Sequence, residues 1–379
     1  MFQYQLNHRF FAQVPEGIEE LAAEELAELG AERVRIVFRG VYFDAGQAEL
    51  YRVNYGARLS TRILAPLLTF RCHNPDYLYR KAKEIAWENF FSPHQTFAVF
   101  ANVTESKIHH SRYAALRLKD GVVDSFRERL NRRPSVEKID PHVRIGLYIE
   151  RDNATISLDT SGGSLHRRGY REAGGEAPMQ EIIAAAVLRL SGWDGSQPLY
   201  DPLCGSGTLL SEALMTYCRI PGAYLRKRFG FQCLPDYDEA LWTSVKQEMD
   251  LAMRPLPEAL ISGSDRSEKA VHSAGRNLGE LPWGERVSLR VADFRTLQGL
   301  QNRVIVCNPP YGIRLERNKD LSGLYRDLGD FLKHQCKGSA AFVYFGNREW
   351  IAHVGLKPSW KKVLRSGRLD GRLVKYEIY

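Results

Sequence analysis

The sequence predicts an α/β chain. Its C-terminal part reads as a Rossmann-like, doubly wound parallel sheet, and two smaller α+β domains precede it. Three observations carry that class. Tyr200-Asp201-Pro202-Leu203-Cys204-Gly205-Ser206-Gly207-Thr208, followed by Leu209 to Leu214, reads as strand, tight glycine turn and helix. From Ser161 onward, helical periods alternate with short apolar runs, as expected of βα units around a parallel sheet. One of those runs, Val304-Ile305-Val306-Cys307, ends in Asn308-Pro309-Pro310-Tyr311.

The elements follow in order. Arg9 to Val14 alternates as a strand, and Glu16 to Leu29 is amphipathic, with Ile18, Leu21, Ala22, Leu26 and Leu29 on one stripe and Gly30 as its stop. Strands over 33–38 and 41–43, a helix over 47–57 and a strand over 61–68 complete a βαββαβ order, which is ferredoxin-like. Pro75 and Asp76 open a second unit, with a helix to about Asn89 and a strand over 96–103. A long helix over 111–130 then keeps Ala115, Leu118, Val122, Phe126 and Leu130 at 3-4 spacing, and strands over 142–150 and 154–158 close the unit. Within the third unit, residues 220–238 are rich in aromatic and basic side chains and interrupt the alternation as an insertion. Near the end, 356–364 and 372–379 read as an antiparallel hairpin around Gly367 and Gly371. The expected domains are 1–70, 71–160 and 161–379.

Composition bounds the function. The 379 residues are 44% hydrophobic, enough for a large core, and 53 Lys and Arg against 45 acids leave +8, which suits a polyanionic partner. The six cysteines form no C-x-x-C pair and no regular framework, so neither a zinc site nor a disulfide scaffold is expected. The first residues lack a basic-then-apolar signal region, and no apolar run reaches 18 residues, so a cytoplasmic protein is expected, with no membrane partner.

The glycine turn admits three nucleotide-binding readings, and its residues favour one. It has no lysine for a P-loop, and Leu210 stands where a dinucleotide fingerprint needs its third glycine. A loop that holds a charged, methionine-type ligand wants an acid at the strand end, which is Asp201. Asp265 ends a second apolar run, where a carboxylate takes both ribose hydroxyls. Asp293, with Phe294, sits one unit further on, suited to the amino group and face of an adenine. Each acid alone reads more readily as a helix cap than as a ligand, and it is all three in order, with the tetrad behind them, that point to a ligand. The Asn308 side-chain oxygen and the Pro309 carbonyl accept hydrogen bonds, the two prolines stiffen the turn, and the Tyr311 ring offers a flat face. That is a cradle for a planar group with an exocyclic NH2. Cys307 precedes the tetrad within the strand and reads as a buried thiol rather than a nucleophile.

Asp-Pro-x-Cys-Gly-Ser-Gly-Thr together with Asn-Pro-Pro-Tyr-Gly resembles the S-adenosylmethionine-dependent methyltransferases that act on exocyclic amines of RNA. The stretch from Leu165 to Arg171, then Ala177-Pro178 and Glu181 to Ala186, narrows it. The chain resembles the THUMP-domain guanine-N2 methyltransferases, in particular bacterial 23S rRNA enzymes of the RlmL/YpsC type. The resemblance implies a THUMP domain over the second unit and S-adenosyl-L-methionine as cofactor. Pro202, Cys204, Gly205, Ser206, Gly207 and Thr208 would hold that cofactor beside the three acids, and no metal is implied. Asn308, Pro309, Pro310 and Tyr311 become the catalytic tetrad. Structured RNA, 23S rRNA first, becomes the partner; transfer RNA, adenine N6, a protein amide and a non-catalytic RNA-binding factor are the alternatives. Ten basic residues between 104 and 144 share that stretch with six acids and are compatible with a solvated helix face. The resemblance to a THUMP domain assigns Lys107, Arg112, Arg132 and Arg133 to RNA, and Arg167, Arg168 and Arg171 to an RNA-contacting junction. Longer members carry a second methyltransferase domain, whose activity is not expected of a sequence ending at Tyr379.

Overall fold

A computed structural model describes residues 1–171, 179–310, 321–365, 367 and 369–379. The chain forms two compact units. Met1–Val14, Ala23–Leu165 and Arg226–Gln247 make the first, and Pro15–Ala22, His166–Leu225 and Glu248–Tyr379 the second.

As far as Asp159 the elements in chain order are α1 (Gln3–Asn7), β1 (Arg9–Gln13), α2 (Glu19–Glu28), β2 (Glu32–Val37), β3 (Gly40–Asp44), α3 (Gln47–Gly56), β4 (Arg62–Arg71), α4 (Pro75–Glu84), β5 (Thr96–Thr104), α5 (Ser111–Leu130), β6 (Ser135–Val136), β7 (Val143–Glu150) and β8 (Asn153–Asp159). The first unit is built on one eight-stranded sheet of order β2-β3-β1-β4-β8-β7-β5-β6. The strands of the first seventy residues and those of the next ninety join where β4 pairs antiparallel with β8, Leu64 opposite Asp159. Period-two alternation gives the sheet a core face of Phe10, Ala12, Val41, Phe43, Ile63, Ile145 and Ile156, all buried. Helix α5 buries Ala114, Leu118, Gly121, Val122, Ser125 and Phe126. Leu130, expected on that stripe, is instead exposed, because the face centres on Gly121. A Cβ on Gly121 would lie 2.7 Å from the Ala82 Cβ and 2.8 Å from the Tyr79 carbonyl, so glycine lets α4 and α5 approach.

Residues 226–247 belong to this unit rather than forming an excursion of their own. Phe229, Phe231, Tyr237 and Trp242 close an aromatic cluster on Tyr51 and Tyr55 of α3, with Tyr51 and Phe231 centroids 4.6 Å apart. The Phe231 N–H donates to the Thr160 carbonyl, and the Asp238 N–H to the Tyr51 hydroxyl. Aromatic pairs in such edge and tilted geometries are each worth about 0.5–1.5 kcal/mol beyond the area they bury.

The remaining elements are α6 (Glu181–Ser191), β9 (Leu199–Asp201), α7 (Thr208–Tyr217), α8 (Glu239–Leu251), β10 (Ile261–Asp265), α9 (Glu268–Gly279), β11 (Ser288–Val291), β12 (Val304–Cys307), α10 (Ser322–Gln335), β13 (Ala340–Phe345), β14 (Trp360–Val363) and β15 (Arg372–Glu377). The second unit carries a seven-stranded sheet of order β11-β10-β9-β12-β13-β15-β14. β9 to β13 run parallel, while β15 pairs antiparallel with β13 and β14, as the expected C-terminal hairpin. Every residue of β12 is buried, which accounts for its unbroken apolar run. Strand order reverses between β9 and β12, the position where ligands bind in doubly wound sheets. Among the described residues no helix is long and apolar enough to cross a membrane.

Candidate active site

The turn after β9 is fixed by its neighbours in the sheet. The Cys204 N–H donates to the Ser264 carbonyl of β10 at 2.9 Å, and the Gly205 N–H to Asp265 Oδ2 at 3.0 Å. Asn277 of α9 donates through Nδ2 to the Ser206 carbonyl at 2.9 Å. Gly205 and Gly207 both have positive φ, +53 and +80, and Gly207 caps α7. A Cβ on Gly207 would stand 3.0 Å from the Ala274 Cβ, whereas one on Gly205 would meet nothing within 4 Å. Gly207 therefore serves angle and close packing, and Gly205 serves the angle alone while its surface faces open space. Pro202 and Cys204 are buried, and Ser206 is partly exposed. The Thr208 hydroxyl accepts from Arg171 at 3.0 Å.

Two acids meet at this turn. Asp201 is 1% exposed, and its Oδ1 accepts from the Leu203 N–H at 3.0 Å. Burial pushes its carboxyl well above the usual range, and the Asp265 carboxylate adds to the rise. The same burial, with both acids nearby, pushes the Cys204 thiol up. Asp265 is oriented by two backbone amides, Gly205 on Oδ2 and Ser267 on Oδ1 at 2.9 Å, and a carboxylate keeps further acceptor sites beyond those. A partly exposed acceptor beside a second, buried acid suits a ligand with vicinal hydroxyls and an ammonium group.

One expectation fails here. Phe294 is 2% exposed and sits in the core, edge-on to Phe331 of α10 at 5.7 Å, with the Arg295 guanidinium over its ring at 5.0 Å. No free aromatic face remains, so Phe294 is a packing residue and not a stacking surface for adenine. Asp293 caps the short turn 294–296 through the Arg295 N–H and pairs with the Arg295 guanidinium at 3.1 Å.

At the end of β12, Asn308 Oδ1 is buried and accepts no hydrogen bond among the described residues. A buried acceptor without a donor costs about 1–3 kcal/mol, so the oxygen is suited to accept from an N–H group. Pro309 is buried and Pro310 exposed. The Pro310 carbonyl accepts from the Tyr325 hydroxyl at 3.0 Å. Tyr325 is itself fully buried on α10, stacked on Trp350 at 5.4 Å and on Phe345 at 5.6 Å. Sequence reasoning did not find Tyr325, which anchors the turn from the next helix. Tyr311 lies outside the described residues. Burial raises the Cys307 thiol well above its ordinary value, which leaves it unreactive at neutral pH.

The cationic residues divide sharply. Lys107, Arg112, Arg132, Arg133 and Arg167 are exposed. Arg168 is not: it is 2% exposed and donates to Glu212 of α7 at 3.1 Å, with both side chains sealed from solvent. Arg171 is held by Thr208, by the Met179 carbonyl at 3.1 Å and by Glu181 at 3.3 Å. Both arginines expected to touch RNA are instead internal ties between the segment before α6 and the helix after the glycine turn. Their carboxylate partners lie too far away in sequence, or too deep in an apolar helix, to be paired with them by inspection. Among the described residues no group of His, Cys, Asp and Glu is placed to hold a metal ion.

A sheet of this order, with an antiparallel penultimate strand and a glycine turn at its switch point, is the fold of S-adenosylmethionine-dependent methyltransferases. Family models match in three successive stretches: an RlmL ferredoxin-like domain over 9–64, a THUMP domain over 72–159, and an RMKL-like methyltransferase domain over 168–375. The chain belongs to this RMKL-like methyltransferase family. It is 39% identical over 371 residues to the Synechocystis protein named "Putative RNA methyltransferase slr0064", covering 98% of this chain and 97% of that one. It is 38% identical to the ribosomal RNA large subunit methyltransferase K/L of Syntrophotalea carbinolica, over 98% of this chain and 53% of that one. The chain thus spans about half the length of the K/L relatives it matches. The crystal structure of SMU.472 complexed with SAH superposes with a TM-score of 0.85 at 28% identity, over 98% of both chains.

Proposed function

We propose that the chain transfers a methyl group from S-adenosyl-L-methionine to the exocyclic N2 of a guanine in RNA, with 23S rRNA as the substrate. The observation that carries this reading is the orphaned Asn308 acceptor, which follows β12, the strand that pairs with β9 ahead of the glycine turn. The K/L relatives' names favour large-subunit rRNA, and the SAH bound to SMU.472 favours the cofactor.

When bound, S-adenosylmethionine supplies an electrophilic methyl on a sulfonium that is its own leaving group. The chain's residues do the rest. Asp265 takes the ribose hydroxyls while its own orientation is held by the Gly205 and Ser267 amides. Asp201 faces the ammonium end, and Asp293 takes the adenine amino group. Asn308 Oδ1 and the Pro309 carbonyl accept the two hydrogens of the guanine NH2. They turn the nitrogen lone pair outward and favour the positive charge that develops on nitrogen. Tyr311 stacks on the base, which must leave its helix to be reached. The released proton goes to solvent. Catalysis is positioning and electrostatics. The exposed Lys107, Arg112, Arg132, Arg133 and Arg167 hold RNA phosphates. The division at 70/71 and 160/161 into ferredoxin-like, THUMP and methyltransferase domains, and a cytoplasmic site of action, belong to the same reading.

The test is incubation of the protein with S-adenosylmethionine and rRNA from cells that lack it, followed by digestion to nucleosides. N2-methylguanosine in 23S rRNA is expected. N6-methyladenosine would change the base, and methylation of transfer RNA alone would change the substrate. Methyl groups on protein and on no RNA would overturn the reading.

A further inference from the structure

The eight-stranded sheet has a second face, opposite its buried one. On β1 and β3, Phe11 and Tyr42 stand directly opposite each other with ring centroids 4.9 Å apart, and Arg35 of β2, opposite Tyr42, lies over its ring at 5.1 Å. Further along, the Arg62 guanidinium lies 4.6 Å from the Phe100 centroid. Between them Gly146, opposite Phe100, is buried beneath neighbouring side chains: a Cβ there would meet the Phe100 ring at 3.7 Å and Leu64 at 3.9 Å. Tyr148, two residues on in β7, is 42% exposed. Phe11, Tyr42 and Phe100 are all only half-buried.

The ion pairs on this face are asymmetric in depth. Asp44 is 4% exposed in its side chain, whereas its partners Arg9 and Arg33 are 44% and 68% exposed. Asp159 is 0% exposed while its partner Arg62 is 21% exposed. The pairs are neutral as pairs, yet solvent meets the arginines. Glu150, exposed at the end of β7, lies beside Tyr148 and Tyr42 and puts one negative charge within the patch. Guanidinium groups seated on half-buried rings, beside the exposed Tyr148, suit a polyanion whose unpaired bases stack on arginine planes and on tyrosine. A paired duplex offers no base faces to such a surface.

We propose that this face of the sheet is a stacking platform for unpaired bases of the RNA substrate, with Arg33, Arg35 and Arg62 on the intervening phosphates. The proposal rests on the reading of the chain as an RNA methyltransferase. It places single-stranded recognition on the sheet, separate from the helical cations around Arg112 and Arg132. The experiment measures binding of an unstructured, labelled oligoribonucleotide of about 12 nucleotides and of a duplex of equal length. It compares wild type with Arg35→Glu, Tyr148→Ala and the double variant. Wild type should prefer the single strand. The double variant should bind it about tenfold more weakly or worse, with duplex binding, thermal unfolding and SAH affinity unchanged. Unchanged single-strand affinity in the folded double variant would overturn the proposal, as would a wild type that binds only duplex. A self-association seen by light scattering and lost in the double variant would assign the face to a second copy and overturn it too. Failure of the functional reading shows separately, as absence of methyl transfer to any RNA by wild type.

Discussion

Replacing Asp265 by alanine tests the proposed cofactor geometry at one side chain. Its Oδ2 accepts from the Gly205 N–H at 3.0 Å and its Oδ1 from the Ser267 N–H at 2.9 Å. The carboxylate therefore clamps the glycine turn, and the proposed function gives its remaining acceptor sites to the ribose. A hydrogen bond to a charged group is worth about 1.5–3 kcal/mol, and some of the ribose interaction is recovered by water in the variant. SAH binding should weaken by about 1–3 kcal/mol, roughly 5- to 150-fold. Asp265→Asn keeps one acceptor oxygen but no charge, and should fall between wild type and alanine. Isothermal titration calorimetry reads the affinity, and a thermal melt confirms that the variant is folded. Wild-type SAH affinity in a folded Asp265→Ala protein would refute the assignment of Asp265 to the ribose.

Three further outcomes are expected. Arg168→Met leaves Glu212 buried without its partner, so stability measured by chemical denaturation should fall by about 3–5 kcal/mol, and adding Glu212→Leu should recover much of it. A variant that instead lost RNA affinity at full stability would return Arg168 to the RNA surface. Asp201 holds its proton above the ordinary carboxylate range because burial and Asp265 disfavour its charge. A ligand ammonium favours the ionised form, so SAH binding should release a proton and tighten as pH rises from about 4 through the raised value. Calorimetry in buffers of different ionisation enthalpy reads this, and Asp201→Asn should abolish it; equal proton release in that variant would place the titrating group elsewhere. Reversing the exposed Arg132 and Arg133 to Glu should weaken RNA binding and flatten its salt dependence while SAH affinity stays constant. Unchanged RNA affinity would remove those two residues from the interface.

What could be read from the sequence was local. The glycine turn and the Asn308 tetrad each lie within one stretch of chain, so strand, turn and helix signals identify them together. The long helix was legible at both ends, Ser111–Leu130, because its periodicity is sustained over twenty residues. What failed was pairing at a distance. Phe294 reads as a free aromatic until Phe331 and Arg295 enclose it. Arg168 reads as one cation in a basic run until Glu212, 44 positions away, meets it in the interior. The joint sheet depends on Leu64 meeting Asp159, and no local signal records a register of that span. Asn277 left a trace: an amide within the buried stripe of Ala274 and Leu278 on α9 must find a partner, and it does so at the Ser206 carbonyl. Tyr325 left none, since a tyrosine on an amphipathic helix is ordinary core.

The most direct measurement is single-turnover methyl transfer by Asn308→Ala, with cofactor and rRNA both saturating. At saturation the binding contributions of the glycine turn and of the RNA surface drop out, leaving the rate of the chemical step. In the proposed mechanism the buried acceptor favours charge on the attacking nitrogen, so its removal should lower the rate on the order of 10²-fold, with SAH affinity unchanged. Transfer at the wild-type rate in the folded Asn308→Ala protein would contradict the cradle and the mechanism built on it.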